Sequence, residues 1–370
     1  MRSLVAAASL WVGIPLTPLA PIPLKQGLAP VALSGAPTPG LAVTPTPLAP
    51  ATPLAVSPAV AAVQPLAAAA KTDAPAPADP GGDLFDGRFS PKGDLDADFN
   101  ALHASVRAGQ AGPLPEAARS ARYLFVGGMF ASRTNDYFGA NIRRLDALGI
   151  EATPVKLDTQ GRRRQGLRAI ELAVRRAPGP VVLVGHSRGG VLVHDWYRRA
   201  PAALKAKVER VILIQAPLTG TPYADHALTG WWNRVKLRFL GPLLFRANLF
   251  RTVAEMTPGM RRHILSILPG WEPGDLAKVY TLSTSISSLR GFYEKRRLLL
   301  ERLGVPDSDG LVPVSSSQVP GARNVLLRDV EHKHTVLQRP GWFKRLQGYR
   351  PHPGYDAGDM TEAFVRLMYR

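Results

Sequence analysis

From about residue 120 the chain switches repeatedly between two hydrophobic periods. Residues 123–126 form a short apolar run that stops at Gly127 and Gly128, which predicts a buried strand. Over residues 137–148, Phe138, Ile142, Leu145 and Leu148 recur at helical spacing, with Gly149 as C-terminal cap. Residues 151–157 predict a strand, and 166–177 a helix with Leu167, Ile170, Leu172 and Val174 as its apolar positions. A strand over 181–184 precedes a helix running to about Arg199, and 208–214 reads as the next strand. Residues 280–283 and 324–327 predict late strands, and 361–369 a terminal helix. Alternation at this spacing implies right-handed crossovers, so the fold class is α/β, with a mostly parallel sheet covered by helices on both faces. Functional groups of such sheets lie beyond the carboxyl ends of the strands.

The first part of the chain follows neither period. Residues 1–80 are rich in Ala, Pro, Leu, Val and Thr and poor in charge, so an extended low-complexity segment is expected. Residues 81–118 are expected to be a linker, and 119–370 the folded domain. Arg2 followed by the apolar residues 4–16 has the form of an export signal, and Pro15, Pro18 and Pro21 break any membrane-spanning helix there. A secreted or periplasmic location is expected, with a cytoplasmic protein carrying a low-complexity tail as the alternative. The 370 residues include no cysteine, which excludes disulfides and thiolate metal sites.

Charge adds a further constraint. The formal net charge is +18, nearly all of it after residue 80. No helix-turn-helix, RNP or zinc-finger pattern accompanies it, so no nucleic-acid partner is expected. Arg162, Arg163 and Arg164 read as a solvated face. Residues 231–253 interleave Trp231, Trp232, Phe239, Leu243 and Phe250 with Arg234, Lys236, Arg238, Arg246 and Arg251, and contain no acid. Two readings stay open for this stretch. One is a buried helical pair. The other is an amphipathic lid, spanning about 226–270, that covers a site in water and opens at an anionic membrane or lipid surface.

The most specific chemistry is Gly185-His186-Ser187-Arg188-Gly189-Gly190, between a predicted strand and a predicted helix. Serine between glycines at a strand-to-helix turn is the context of a nucleophile elbow. Ser187 is a poor nucleophile alone and needs a base and an orienting acid. Of eight histidines, His103 precedes the domain, His186 flanks the serine facing the other way, and His194 lies in the helix behind it. His226 and His263 fall in or near the lid segment, and His352 in a proline-rich tail. His332 and His334, after the last predicted strand, remain as candidate bases. Asp309 is the candidate acid, with Asp307 as fallback, and Glu331 is expected to turn away from His332. Backbone N–H groups of Met129 and Arg188 are the candidate oxyanion donors.

With these residues assembled, the chain resembles bacterial true lipases of the α/β-hydrolase superfamily over roughly residues 120–340. The resemblance rests on residues 124–129, with Gly127 in place of the family's usual histidine, and on residues 135–149. It also rests on the 185–190 elbow, with Arg188 where Met or Gln is usual, and on residues 216–225 leading into the lid. The spacing from Asp309-Gly310-Leu311-Val312 to Val330-Glu331-His332 resembles that from the family's acid to its base. It favours His332, while Thr335-Val336-Leu337 keeps His334 open. Some members of the family hold calcium through a carboxylate two residues past the base; His334 stands there, so no metal is expected, and no cofactor. The resemblance implies an α/β-hydrolase fold with a helical lid insertion, acting on acyl esters of lipids or small esters. A phospholipase or acyltransferase using the same serine, and a non-catalytic surface-binding protein on the same fold, are the rival readings.

Overall fold

The computed structural model describes residues 93–134, 136–229, 249–287, 293–339 and 349–370. Six strands form one sheet: β1 Arg122–Val126, β2 Ala152–Pro154, β3 Val181–His186, β4 Val208–Ile214, β5 Val279–Ser285 and β6 Arg323–Arg328. Their order is β2-β1-β3-β4-β5-β6, and every pairing is parallel. The helices are α1 Asp96–Arg107, α2 Glu116–Ser120, α3 Gly139–Ala147, α4 Arg163–Arg176, α5 Arg188–Arg199, α6 Ala202–Lys205 and α7 Pro222–Leu228. They continue with α8 Leu249–Ala254, α9 Pro258–Ser266, α10 Glu294–Arg302, α11 Val314–Ser317 and α12 Ala357–Met368.

The strand period of two divides the core between the sheet's faces. Tyr123 and Phe125 of β1, with Val182 and Val184 of β3, join one apolar cluster with Phe99 and Phe364. Leu124, Val126, Val181 and Leu183 join the other, with Val191 of α5 and Ile170 of α4. β3 is buried along its whole length, as expected of a central parallel strand covered on both sides. Its partners place Val126 beside Gly185 and Ile214 beside His186, so the carboxyl ends of β1, β3 and β4 meet at one rim.

Some expectations need revision. Within residues 81–118, expected to be a linker, residues 96–107 form α1, and Phe99, Val106, Leu114 and Ala118 enter the core. The Leu95 amide donates to the Asn324 carbonyl at 3.0 Å, and Asp96 Oδ1 accepts from the Leu326 amide at 2.6 Å, so this segment lies along β6. Leu172 is 45% exposed, because two residues beyond Ile170 is the opposite side of α4. Arg163 is not on a solvated face: it pairs with buried Asp195 at 2.8 Å. The terminal helix starts earlier than expected because the Asp356 carboxylate caps it, accepting from the Gly358 amide at 2.7 Å. Of the expected lid, residues 230–248 lie outside the described residues. Among the described residues, no helix is long and apolar enough to cross a membrane.

Candidate active site

Ser187 joins β3 to α5 with φ 55° and ψ −126°, a backbone conformation costly for any side chain but glycine. The surroundings over-determine it. Its amide donates to the Ile214 carbonyl at 2.9 Å, and its carbonyl accepts from the Val191 amide at 3.2 Å. The turn is too tight for side chains at its flanks: a Cβ on Gly189 would run into the Val126 carbonyl, and one on Gly128 would lie 2.8 Å from Ser187 Cβ. The loop after β1 therefore passes directly against the serine.

The Ser187 hydroxyl lies 3.0 Å from His332 Nε2, and His332 Nδ1 lies 2.7 Å from Asp309 Oδ2. The other Asp309 oxygen accepts from the amides of Leu311 at 2.9 Å and Val312 at 2.8 Å. A carboxylate only accepts, so Nδ1 carries the proton and Nε2 is left to accept from the serine. His332 and Asp309 are both buried, and the His332 amide donates to the Asp309 carbonyl at 3.2 Å, which joins the two loops. The structure thus brings together the three residues singled out in the sequence.

The other candidates are placed elsewhere. Asp307 is half-buried, with Arg328 at 3.9 Å. His334 is buried away from the serine: its Nδ1 accepts from the Glu331 amide at 3.1 Å and its Nε2 donates to the Arg350 carbonyl at 3.0 Å. Burial pushes the His334 pKa down to about 4. Glu331 is aimed at the Tyr293 amide, 3.0 Å from its carboxylate. Met129 and Arg188 line a cleft with Ser187, and Arg188 opens α5, where helix amides lack intrahelical partners. The Arg188 side chain folds away to the Thr159 and Gly161 carbonyls, at 2.9 and 2.8 Å, and to Glu255 at 2.8 Å.

The roles of three residues near the site escaped the sequence reading, which set His186 aside as facing away from the serine. His186 is fully buried; its Nε2 faces two acceptors, the His332 carbonyl at 2.8 Å and Gln215 Oε1 at 3.1 Å, so that nitrogen bears the proton. Its Nδ1 then accepts from the Tyr137 hydroxyl at 2.6 Å. Burial first, then the nearness of His332 and Lys333, holds the His186 pKa well below the usual imidazole range. Burial raises the Tyr137 phenol in turn. Gln215 follows β4 as Ser187 follows β3, also at positive φ, and accepts from the Thr335 hydroxyl at 2.7 Å. No one-dimensional signal marked these partners, because their contacts join loops 29 to 146 residues apart.

Behind the elbow lies a second polar cluster. Arg261 of α9 grips Asp195 of α5 with two bonds of 2.8 Å, Arg163 adds a third and His194 Nδ1 lies at 2.9 Å. Burial alone would raise the Asp195 pKa, but the Arg261 charge and hydrogen bonds, with His194, hold it well below the carboxylate range. Arg261 also donates to the Leu218 carbonyl at 2.8 Å, so α9, inside the expected lid span, is fastened to the core.

The cleft over Ser187 has a volume of about 150 Å³ and is mostly apolar, with Phe130, Pro217, Leu249, Val253, Met256 and Leu311 in its walls. Among the described residues, no group of three or more His, Asp or Glu side chains could hold a metal ion.

No family model matches the sequence. No curated protein matches it either. Solved structures do. A metagenomic carboxyl esterase, MGS0156, superposes with a TM-score of 0.62 at 17% identity, over 75% of this chain and 91% of its own. The mature lipase BlEst2 of Bacillus licheniformis gives 0.49 at 19% identity, over 68% of this chain and 93% of its own. Identities this low speak for architecture alone. With six parallel strands, a strained serine at the β3–α5 turn and the superposition on the metagenomic esterase, the chain has the α/β-hydrolase fold.

Proposed function

We propose that the protein is a serine carboxylic-ester hydrolase of lipase type, acting on acyl esters of lipids. The observation that carries the reading is the continuous Ser187–His332–Asp309 relay, with steps of 3.0 and 2.7 Å, at the floor of an apolar cleft. Ser187 attacks the ester carbonyl while His332 Nε2 takes its proton. The imidazolium is stabilised by Asp309, which also fixes the tautomer. His332 returns the proton to the leaving alcohol, and the acyl group stays on Ser187. Water then attacks by the same route in reverse and frees the acid. The amides of Met129 and Arg188 are the proposed donors to the oxyanion, each worth about 3 kcal/mol in a dry site. The reading needs no metal or cofactor.

Two further points support it. The structural neighbour with the highest superposition score given above is a carboxyl esterase. Apolar walls beside the serine suit an acyl chain better than a peptide or sugar. We also propose export to the periplasm or medium, on the strength of Arg2 and the apolar run after it. The decisive experiment is hydrolysis of p-nitrophenyl acyl esters by the native chain and by Ser187→Ala, with fluorophosphonate labelling in parallel. Turnover and labelling should both vanish in the variant while its circular dichroism is unchanged. Retained hydrolysis would end the proposal, and a rate that jumps above substrate solubility would assign a lipase rather than a soluble-ester enzyme.

A further inference from the structure

One wall of the cleft is set by an ion pair that lies outside it. Leu249 and Val253 of α8, with Met256 just beyond its end, line the cleft. The Met256 amide donates to the Val253 carbonyl at 2.9 Å, so the helical turn continues, and the three side chains form one apolar strip. Glu255, between them in sequence, does not line the cleft. Its carboxylate accepts from Arg188 Nη2 at 2.8 Å, and the Arg188 side chain is 2% exposed. The same guanidinium donates to the Thr159 and Gly161 carbonyls. Its donors form a rigid planar fork, so the carboxylate after α8 and the loop at 159–161 are held at a fixed separation. A charge-assisted bond of this kind, closed to water, is stronger than a neutral one. The Thr252 hydroxyl adds a bond from α8 to the Gln160 carbonyl at 2.9 Å. Arg188 follows the nucleophile directly. Its main chain faces the reacting carbonyl, while its side chain reaches the segment that carries the apolar strip.

We propose that Arg188 and Glu255 are positioning residues for the acyl chain: their ion pair fixes how closely the Leu249, Val253 and Met256 strip approaches Ser187, and with it the preference for acyl length. The inference rests on the ester-hydrolase reading and adds a determinant of specificity to it.

The test compares two esters with one leaving group, p-nitrophenyl acetate and p-nitrophenyl octanoate, on the native chain and on Glu255→Ala. The octanoate-to-acetate ratio of kcat/KM should fall roughly tenfold in the variant, about the worth of one or two buried methylenes. The fall should sit in the octanoate KM, since a displaced wall weakens binding of the chain and leaves the reacting groups in place. Glu255→Gln, which keeps an oxygen to accept from Arg188, should recover part of the ratio. Arg188→Met combined with Glu255→Met removes both charges together and leaves neither buried unpaired. It keeps the fold even where the alanine form does not, and it should show the same fall. A ratio unchanged in the folded variants overturns this inference alone. So does an equal loss for both esters, which would assign the guanidinium to the elbow rather than to the wall. Turnover of neither ester by the native chain overturns the hydrolase reading and this inference with it.

Discussion

His186 Nε2 donates to the backbone carbonyl of His332 at 2.8 Å, so the residue before the serine holds the loop that carries its base. The two imidazole centres are 4.9 Å apart. The Tyr137 hydroxyl fixes the tautomer that makes this possible. Replacing His186 by alanine should displace His332 by a fraction of an ångström. We expect kcat to fall by ten- to a hundredfold with little change in KM. His186→Gln, which keeps a donor near the carbonyl, should recover part of the loss. Steady-state kinetics on a p-nitrophenyl ester checks both, and equal kcat in native and alanine forms would refute the positioning role.

Asp309→Asn should leave the fold intact and remove most of the activity. The amide would present a donor to Nδ1 and favour the wrong tautomer of His332. A fall in kcat of about 10³- to 10⁴-fold is expected. Asp307→Asn, at a half-buried position whose ion-pair partner is Arg328 at 3.9 Å, should stay near native activity. Measured together, the two variants decide which carboxylate serves the base.

Acid should destabilise the protein through its buried histidines. His334 titrates near 6.5 when unfolded and at about 4 when folded, and burial lowers His186 and His194 as well. The unfolded chain therefore binds more protons in this window, so stability rises with pH there. It is complete above about pH 6.5 and is lost as pH falls toward 4. His334 alone contributes up to about 1.4 kcal/mol per pH unit inside the window. Thermal melts at pH 7 and pH 5 should show the drop, and His334→Gln should flatten it. An unchanged slope in that variant would count against a neutral, buried His334.

Breaking the buried Asp195 cluster should affect stability rather than chemistry. Arg261→Met leaves Asp195 with one strong partner fewer in a site sealed from water. A loss of about 3–5 kcal/mol is expected, with a melting point lower by on the order of 10 °C. At a temperature where the variant is folded, its kcat should stay within a few-fold of native. Calorimetry and kinetics on the same preparation separate the two effects.

Gly128→Ala tests the close approach of the first loop to the serine. Its Cβ would sit 2.8 Å from both Ser187 Cβ and the Tyr137 hydroxyl. We expect a strong loss of kcat and slower fluorophosphonate labelling. Gly179→Ala, where the added methyl meets open space, is the control.

Periodicity and the elbow motif carried much of this architecture in the sequence. Continuous apolar runs such as 181–184, short and bounded by turn residues, fit central strands, and the glycines around Ser187 marked a turn that only small residues allow. His332 was legible because it stands in the loop after β6; Asp309 was expected after a late strand but follows helix α10, and its Asp-Gly turn rather than its element was the signal. Only the resemblance ranked His332 above His334, since the residues alone do not say which imidazole the Glu331 and Arg350 backbones engage. Arg163, whose partner is Asp195, misled for a related reason. Their pairing spans two helices, and a local charge run looks the same whether or not a buried carboxylate awaits it. Helix α1 was missed because only Phe99, His103 and Val106 of its twelve residues are buried, too thin a stripe to stand out beside a proline-rich neighbour.

The segment around Leu95 and Asp96 occupies main-chain groups of β6, the last strand of the sheet. An unoccupied strand edge is a template for pairing with other molecules. Shortened versions of this protein should therefore start no later than residue 93. A version starting at 119 would bare the Leu326 amide and the apolar surface beneath Phe99, and should precipitate at concentrations where the longer one stays in solution.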